Sequence, residues 1–381
     1  MVTTFYLPTK IIFGSGSVAR LGAEAKRLGR RAMLITGCRS VRQTGLLDKV
    51  TRDLEGSGLE VCIFDKVRPN PRASIVDEGA MVARQSEVDL IIGLGGGSAM
   101  DTAKCIVLAS AGNKPIWDYY IEAGDIKVTE PVTPLMLVPT VAASGSEANN
   151  GAVITNWGTH EKRVLFSSHF LPKVSIVDPE LTLTLPQKPI AQGGVDIFCH
   201  VVECYITTKR PSPLTDGIME AVMRLVVETL PQTLINLDDI ESRTRLSWAS
   251  TMACSQFIEL GGGGGYRTLH GIEHPLSGYY DIAHGDGLAA LLPAWMRYTF
   301  PVRRERFDSL GRNVFGEADG IAAVEKWLDR IGMKFNLRVL GIEPQRIKEI
   351  ADCAVRTAPW LGKHPNLLDA SAVAQIYRDS C

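Results

Sequence analysis

One segment constrains the fold of this chain more than any other: Asp89-Leu-Ile-Ile-Gly-Leu-Gly-Gly-Gly-Ser98, followed by Ala99-Met-Asp-Thr-Ala-Lys104. A short apolar run breaks into consecutive glycines and then into a helical pattern. Such a turn brings backbone N–H groups close to an anion at the positive end of the next helix, which suits a dinucleotide pyrophosphate. Ser98 is the expected N-cap. Position 98 is serine, so this is not the G-x-G-x-x-G fingerprint, and the segment does not follow the first strand. A plain strand–helix turn is therefore the alternative reading. A second loop, Pro139-Thr-Val-Ala-Ala-Ser-Gly-Ser-Glu147, sets small and hydroxyl side chains after an apolar run at 135–138. It either lines a nucleotide or makes a tight crossover. Gly14-Ser-Gly16 reads as a turn.

Strand-like runs at 11–13, 33–36, 61–65, 90–94, 135–138 and 174–177 alternate with amphipathic stretches at 18–28, 46–55, 74–84 and 100–111. This alternation predicts βαβ units and a mainly parallel sheet. After Leu183-Thr-Leu-Pro186 the pattern turns helical, over 193–205, 216–230, 240–260, 322–331 and 344–355. We expect an α/β domain over residues 1–186 and an all-helical domain over 187–381, which a chain of 381 residues is long enough to build.

Lys and Arg number 41 against 42 Asp and Glu, and no basic stripe or basic amphipathic helix points to nucleic acid or a membrane surface. The opening Met1-Val-Thr-Thr-Phe-Tyr-Leu-Pro lacks the charged and apolar regions of a signal peptide. No run of eighteen apolar residues occurs. The expectation is a soluble, cytoplasmic protein whose 8 cysteines, none in a Cys-x-x-Cys pair, are reduced thiols.

The second half carries the polar chemistry. Asp196 and His200 are four residues apart and share a face if helical, His270 and His274 repeat that spacing, and His284-Gly285 follows. A lone histidine is usually a packing or surface residue. Here four of the 7 histidines fall within 194–285, whereas His160, His169 and His364 lack such company and are expected to be structural or exposed. Asp with several His is a plausible shell for Fe or Zn. A glycine-cradled dinucleotide and a Lewis-acid metal together imply hydride transfer at an alcohol or carbonyl carbon. Asp286 reads as a helix N-cap or as a partner of the metal shell. The glycine run 261–265 is expected to loosen the segment before His270. Trp117, Tyr119, Tyr120 and Phe257 either wall an apolar pocket or belong to the core.

Gly95-Gly-Gly-Ser98-x-x-Asp101-x-x-Lys104, Ser144-Gly-Ser-Glu147, Asp178-Pro-x-Leu-Thr182, Asp196-x-x-x-His200 and His270-x-x-x-His274 with His284-Gly, in this order, resemble the iron-containing (group III) alcohol dehydrogenases. The likeness extends over nearly the whole chain, and Ile35-Thr-Gly-Cys-Arg-Ser40 with Lys162-Arg-Val-Leu-Phe-Ser-Ser-His169 looks most like the butanol dehydrogenase and NADPH-dependent aldehyde reductase branch. The resemblance implies a Rossmann-like N-terminal domain, an all-helical C-terminal domain of dehydroquinate synthase-like fold, and an active site between them. It implies Asp196, His200, His270 and His284 as ligands of Fe²⁺ or Zn²⁺, and His274 as a proton relay. It places Gly95, Gly96, Gly97 and Ser98 at the pyrophosphate, Asp101 near the nicotinamide, and Thr140, Ser144, Lys162 and Thr182 along the cofactor cleft. A homodimer or larger assembly acting on a small alcohol or aldehyde is also implied.

For the cofactor, the strand before Gly37-Cys38-Arg39-Ser40 ends without the carboxylate that accepts the ribose 2′-OH of NAD. Arg39 and Ser40 can contact a 2′-phosphate, so NADP is expected over NAD. The competing readings are a relative in the same superfamily (glycerol dehydrogenase, maleylacetate reductase or a dehydroquinate synthase-like lyase), a metallohydrolase that works without nucleotide, and a nucleotide sensor with a degenerate site.

Overall fold

The structure is a computed structural model that describes residues 4–112, 114–121, 132–259 and 264–381. Each apolar run of the first half forms a strand: β1 (Lys10–Phe13), β2 (Arg31–Gly37), β3 (Glu60–Val67), β4 (Leu90–Gly95), β5 (Leu135–Pro139) and β8 (Val174–Val177). They make one six-stranded sheet in the order β1-β8-β5-β4-β2-β3, every pairing parallel. Both faces are covered, which is why the central strands read as continuous apolar runs and not as alternation. Met33, Ile35, Ile91 and Leu137 meet α4 (Ala73–Gln85), α5 (Gly97–Ala111) and α6 (Ile116–Ile121) on one face. Leu34, Ile92, Val138 and Ile176 meet α1 (Leu21–Ala25) and α3 (Leu46–Gly56) on the other, and the short α2 (Ser40–Gln43) follows β2.

From residue 187 on, the described residues form helices packed in one apolar cluster. These are α7 (Gln187–Thr207), α8 (Pro213–Ile235), α9 (Ile240–Ala253), α10 (Thr268–Tyr280), α11 (His284–Leu310), α12 (Gly320–Arg330), α13 (Ile347–Thr357) and α14 (Ala370–Asp379). No helix among the described residues is long and apolar enough to cross a membrane. The helix expected over 240–260 stops at Ala253, because Cys254 leaves helical geometry at φ −117°.

An antiparallel hairpin, β6 (Gly151–Asn156) with β7 (Glu161–Phe166), was not anticipated. Its short strands mix polar and apolar residues, and its register is set by neighbours distant in sequence. Trp117 and Tyr120 stack with ring centres 5.5 Å apart beneath it, and the Tyr120 hydroxyl donates to Ala152 O at 2.9 Å, so these aromatics are core and not pocket wall. Phe257 lies 5.2 Å from Phe5. All eight cysteines are free thiols.

Where the sheet meets the helices, Asp178 closes the turn after β8. Its carboxylate accepts from Gly16 N at 3.2 Å, Val18 N at 3.0 Å and Glu180 N at 3.0 Å, tying β8 to the turn after β1. Each backbone donor deprived of its acceptor costs about 1–3 kcal/mol. Asp178→Ala should therefore lower the thermal unfolding midpoint by several degrees without altering the helical far-UV signal, and an unchanged midpoint would contradict this account of the turn.

Candidate active site

Asp196 and His200 project from the same face of α7 towards α10 and the first turn of α11. Asp196 Oδ1 lies 3.4 Å from His200 Nδ1, 3.2 Å from His270 Nε2 and 3.8 Å from His284 Nε2. The ligand atoms of Asp196, His270 and His284 fall within 4.8 Å of one another. The His200 ring lies 4.3 Å from that of His270, and His200 Nδ1 is buried with no hydrogen-bond partner. A carboxylate oxygen approached by three imidazoles, one of them carrying an orphaned buried nitrogen, fits a divalent transition ion.

Two fully buried glutamates, unnoticed in the sequence, stand behind the histidines. Glu203 Oε1 receives His270 Nδ1, while its Oε2 accepts Leu269 N at 2.5 Å and His270 N at 3.2 Å at the start of α10. Glu273 Oε2 receives His284 Nδ1, and its Oε1 accepts Ser277 Oγ at 2.5 Å. Glu203 is readable in hindsight, since 196, 200 and 203 share one face of α7. Glu273 was masked by its neighbour His274.

Burial acts on every ionisable group here. It opposes the Asp196 charge, but His200, His270 and His284 override it and hold that carboxylate well below the usual range. Burial pushes His200 down to about 3. For His270 burial works against the proton, yet Glu203 and Asp196 draw it up to about 10, and a bound ion competes with that proton. His274 is held well below the ordinary histidine range by burial and then by Lys162 and the nearby imidazoles. Its ring centre lies 6.5 Å from that of His270 and 5.6 Å from that of His284.

The α/β half meets this cluster through polar contacts. Lys162 Nζ donates to Asn70 Oδ1 at 3.0 Å and lies 3.9 Å from Glu273 Oε2. Asn70 in turn donates to Asp281 Oδ1 at 2.9 Å, and Arg72 pairs with Asp281 at 2.7 Å. Asn70 and Asp281 both adopt left-handed backbone, φ +50° and +53°, the conformation that Asn and Asp tolerate best among side-chain-bearing residues. Across the other side of the seam, Ala143 N donates to Ser250 Oγ at 2.9 Å and Thr251 Oγ1 to Glu147 Oε1 at 2.7 Å.

The glycine loop packs closely against its neighbours. Gly95 sits at φ +152°, and a Cβ on Gly97 would come within 2.8 Å of Ser144 Oγ, so the two candidate loops touch. Thr140 N donates to Gly95 O at 3.0 Å, and Thr182 lines a small cleft with Pro139, Val141 and Ser247. Gly37 ends β2, with Arg39 exposed before Ser40 at the start of α2.

Several expectations change. Gly96, in extended geometry, is the N-cap of α5, and Ser98 lies inside the first turn without a capping bond. Asp101 accepts Ser146 Oγ at 2.7 Å and Val153 N at 2.9 Å, so it also fastens the second loop to the hairpin. Asp286 does not cap α11, whose N-cap is Ala283. It pairs with Lys188 at 3.2 Å and accepts Gln192 Nε2 at 2.9 Å. Most of the glycine run lies outside the described residues, but Gly265 is required for contact, since a Cβ there would meet the Cys204 backbone at 2.3 Å.

Sequence profiles agree with this geometry: iron-containing alcohol dehydrogenase matches residues 8–179, and the Fe-containing alcohol dehydrogenase family, C-terminal, matches 190–381. The chain belongs to the iron-containing alcohol dehydrogenase family. It is 37% identical over 365 residues to a probable NADH-dependent butanol dehydrogenase 2 of Bacillus subtilis, covering 93% of this chain and 92% of that protein. It is 32% identical to NADH-dependent butanol dehydrogenase A of Clostridium acetobutylicum, covering 99% and 98%. The crystal structure of NADH-dependent butanol dehydrogenase A from Thermotoga maritima superposes with a TM-score of 0.94 at 32% identity, covering 100% of this chain and 98% of that one. This member of the family is an oxidoreductase acting on alcohols and aldehydes.

The first turn of α11 holds His284 near Asp196 because Gly285 packs flat on α7; a Cβ there would meet Gln192 O at 2.5 Å, an atom that cannot step aside. Gly285→Ala should push His284 out of the cluster, lowering both bound metal and turnover at least tenfold while the sheet persists. Full metal content in that variant would show that the close approach does not place the ligand.

Proposed function

We propose that the enzyme reduces aldehydes to primary alcohols with NADPH at a site between an α/β half, residues 1–186, and a helical half, residues 187–381. Asp196, His200, His270 and His284 would hold one Fe²⁺ or Zn²⁺ ion. The convergence of three of these ligands within 4.8 Å carries this reading. The bound ion supplies Lewis acidity at the substrate oxygen, and the dinucleotide supplies hydride.

The chain's own residues bind, orient and move protons. Gly95, Gly96, Gly97 and Ser98 present backbone N–H groups to the pyrophosphate at the start of α5, with Ser144 packed against Gly97, Thr140 N bonded to Gly95 O and Thr182 lining the small cleft beside them. Lys162 approaches from the hairpin, anchored on Asn70. His274, one turn beyond His270, would pass a proton between the substrate oxygen and solvent, a role typically worth about 10²–10⁴-fold in rate. Asp101 acts through Ser146 and Val153 by holding the loop and hairpin in register.

Cofactor preference rests on the end of β2. Gly37 offers no carboxylate to repel a 2′-phosphate, and the exposed Arg39 with Ser40 can bind one. The butanol dehydrogenase relatives carry NADH in their names, which weighs the other way.

Two experiments test this proposal. Purified protein should hold one divalent ion per chain, and His270→Ala should lose the ion together with turnover of short aldehydes; stoichiometric metal and full kcat in that variant would refute the ligand assignment. The ratio of kcat/KM for NADPH over NADH should exceed one, reverse in Gly37→Asp and fall in Arg39→Ala. Equal or better efficiency with NADH would reject the preference and leave the metal assignment standing.

A further inference from the structure

The two buried glutamates have no assigned part in the reaction, yet each holds the far nitrogen of a proposed ligand histidine. Glu203 is tied at both oxygens, to His270 Nδ1 and to the first N–H groups of α10. Glu273 is fixed between Ser277 Oγ and His284 Nδ1, in space left by Gly287, where a Cβ would meet Glu273 Oε1 at 2.6 Å and Cγ at 2.8 Å. An imidazole whose Nδ1–H is committed to a carboxylate presents Nε2 as its lone-pair donor, with its ring plane fixed and its basicity raised. In both cases Nε2 is the atom that faces Asp196. Glu273 differs from Glu203 in one respect: the Lys162 ammonium stands 3.9 Å from its Oε2, reaching over from the cofactor half.

We infer that Glu203 and Glu273 are positioning residues for the metal site, and that Lys162 tempers the charge of Glu273 across the seam, so metal retention is coupled to the cofactor half. The inference rests on the ligand reading above and makes a prediction of opposite sign for two touching residues. Neutralising Glu273 removes negative charge and loosens the His284 ring, so metal should bind more weakly. Neutralising Lys162 leaves Glu273 in place and removes the opposing positive charge, so metal should bind as tightly or more tightly. A side chain that merely packs would weaken binding in both variants.

The test uses the full chain, stripped of metal by chelation and titrated with Co²⁺ alone, without nucleotide. Affinity comes from chelator competition and coordination geometry from the visible cobalt spectrum. One Co²⁺ per chain in the unaltered protein tests the ligand reading by itself. Glu273→Gln should then weaken Co²⁺ binding by roughly 10–100-fold and change the spectrum, whereas Lys162→Gln should not weaken it. Ser277→Ala, which keeps the carboxylate but frees one of its oxygens, should give an intermediate loss and serves if Glu273→Gln does not fold. Unaltered Co²⁺ affinity in both Glu273→Gln and Ser277→Ala would overturn the inference, as would a loss in Lys162→Gln equal to that in Glu273→Gln.

Discussion

A single buried carboxylate organises this molecule. Asp196 sits in the middle of α7, within the apolar cluster of the helical half. A charge in that position must be met by partners, because desolvation without them is prohibitive. The chain meets it with imidazoles from α7, α10 and α11, the last of them, His284, 88 positions further along the sequence. The glycines at 265 and 285 follow from that convergence, since they allow the helices to approach closely enough for the rings to meet.

Much of this was legible in the sequence, and for identifiable reasons. Strands buried on both faces announce themselves as apolar runs, and all six strands of the parallel sheet lay where such runs stood. The four-residue spacings of Asp196 with His200 and of His270 with His274 carried real geometry, because helical periodicity fixes which side chains share a face. Capping was less legible. Ser98 and Asp286 both have the residue type that favours an N-cap, but α5 already starts at Gly97 with Gly96 as its extended cap, and Asp286 is drawn to Lys188 and Gln192 on α7. Propensity is a local quantity, and tertiary partners outweighed it.

What could not be read were bonds between distant segments. Asn70 and Asp281 are 211 positions apart, and nothing in the periodicity around either one hints that they meet. The hairpin β6–β7 was hidden similarly, because its footing is supplied by Asp101, Tyr120 and Asn70 rather than by its own alternation. Buried carboxylates such as Glu273 look in sequence like ordinary solvent-facing charges on amphipathic helices. Only the fold shows that they face inward and that histidines are what they face.

The order of strands has a consequence for how the protein comes into being. β1 is joined to the sheet only through β8, so the sheet is complete once residue 177 has been made. Asp196, His200, His270 and His284 all come later in the chain, and no member of this cluster belongs to the sheet. The first half can therefore complete its sheet before His270 and His284 have been made, and the histidine cluster closes against a partner surface already built.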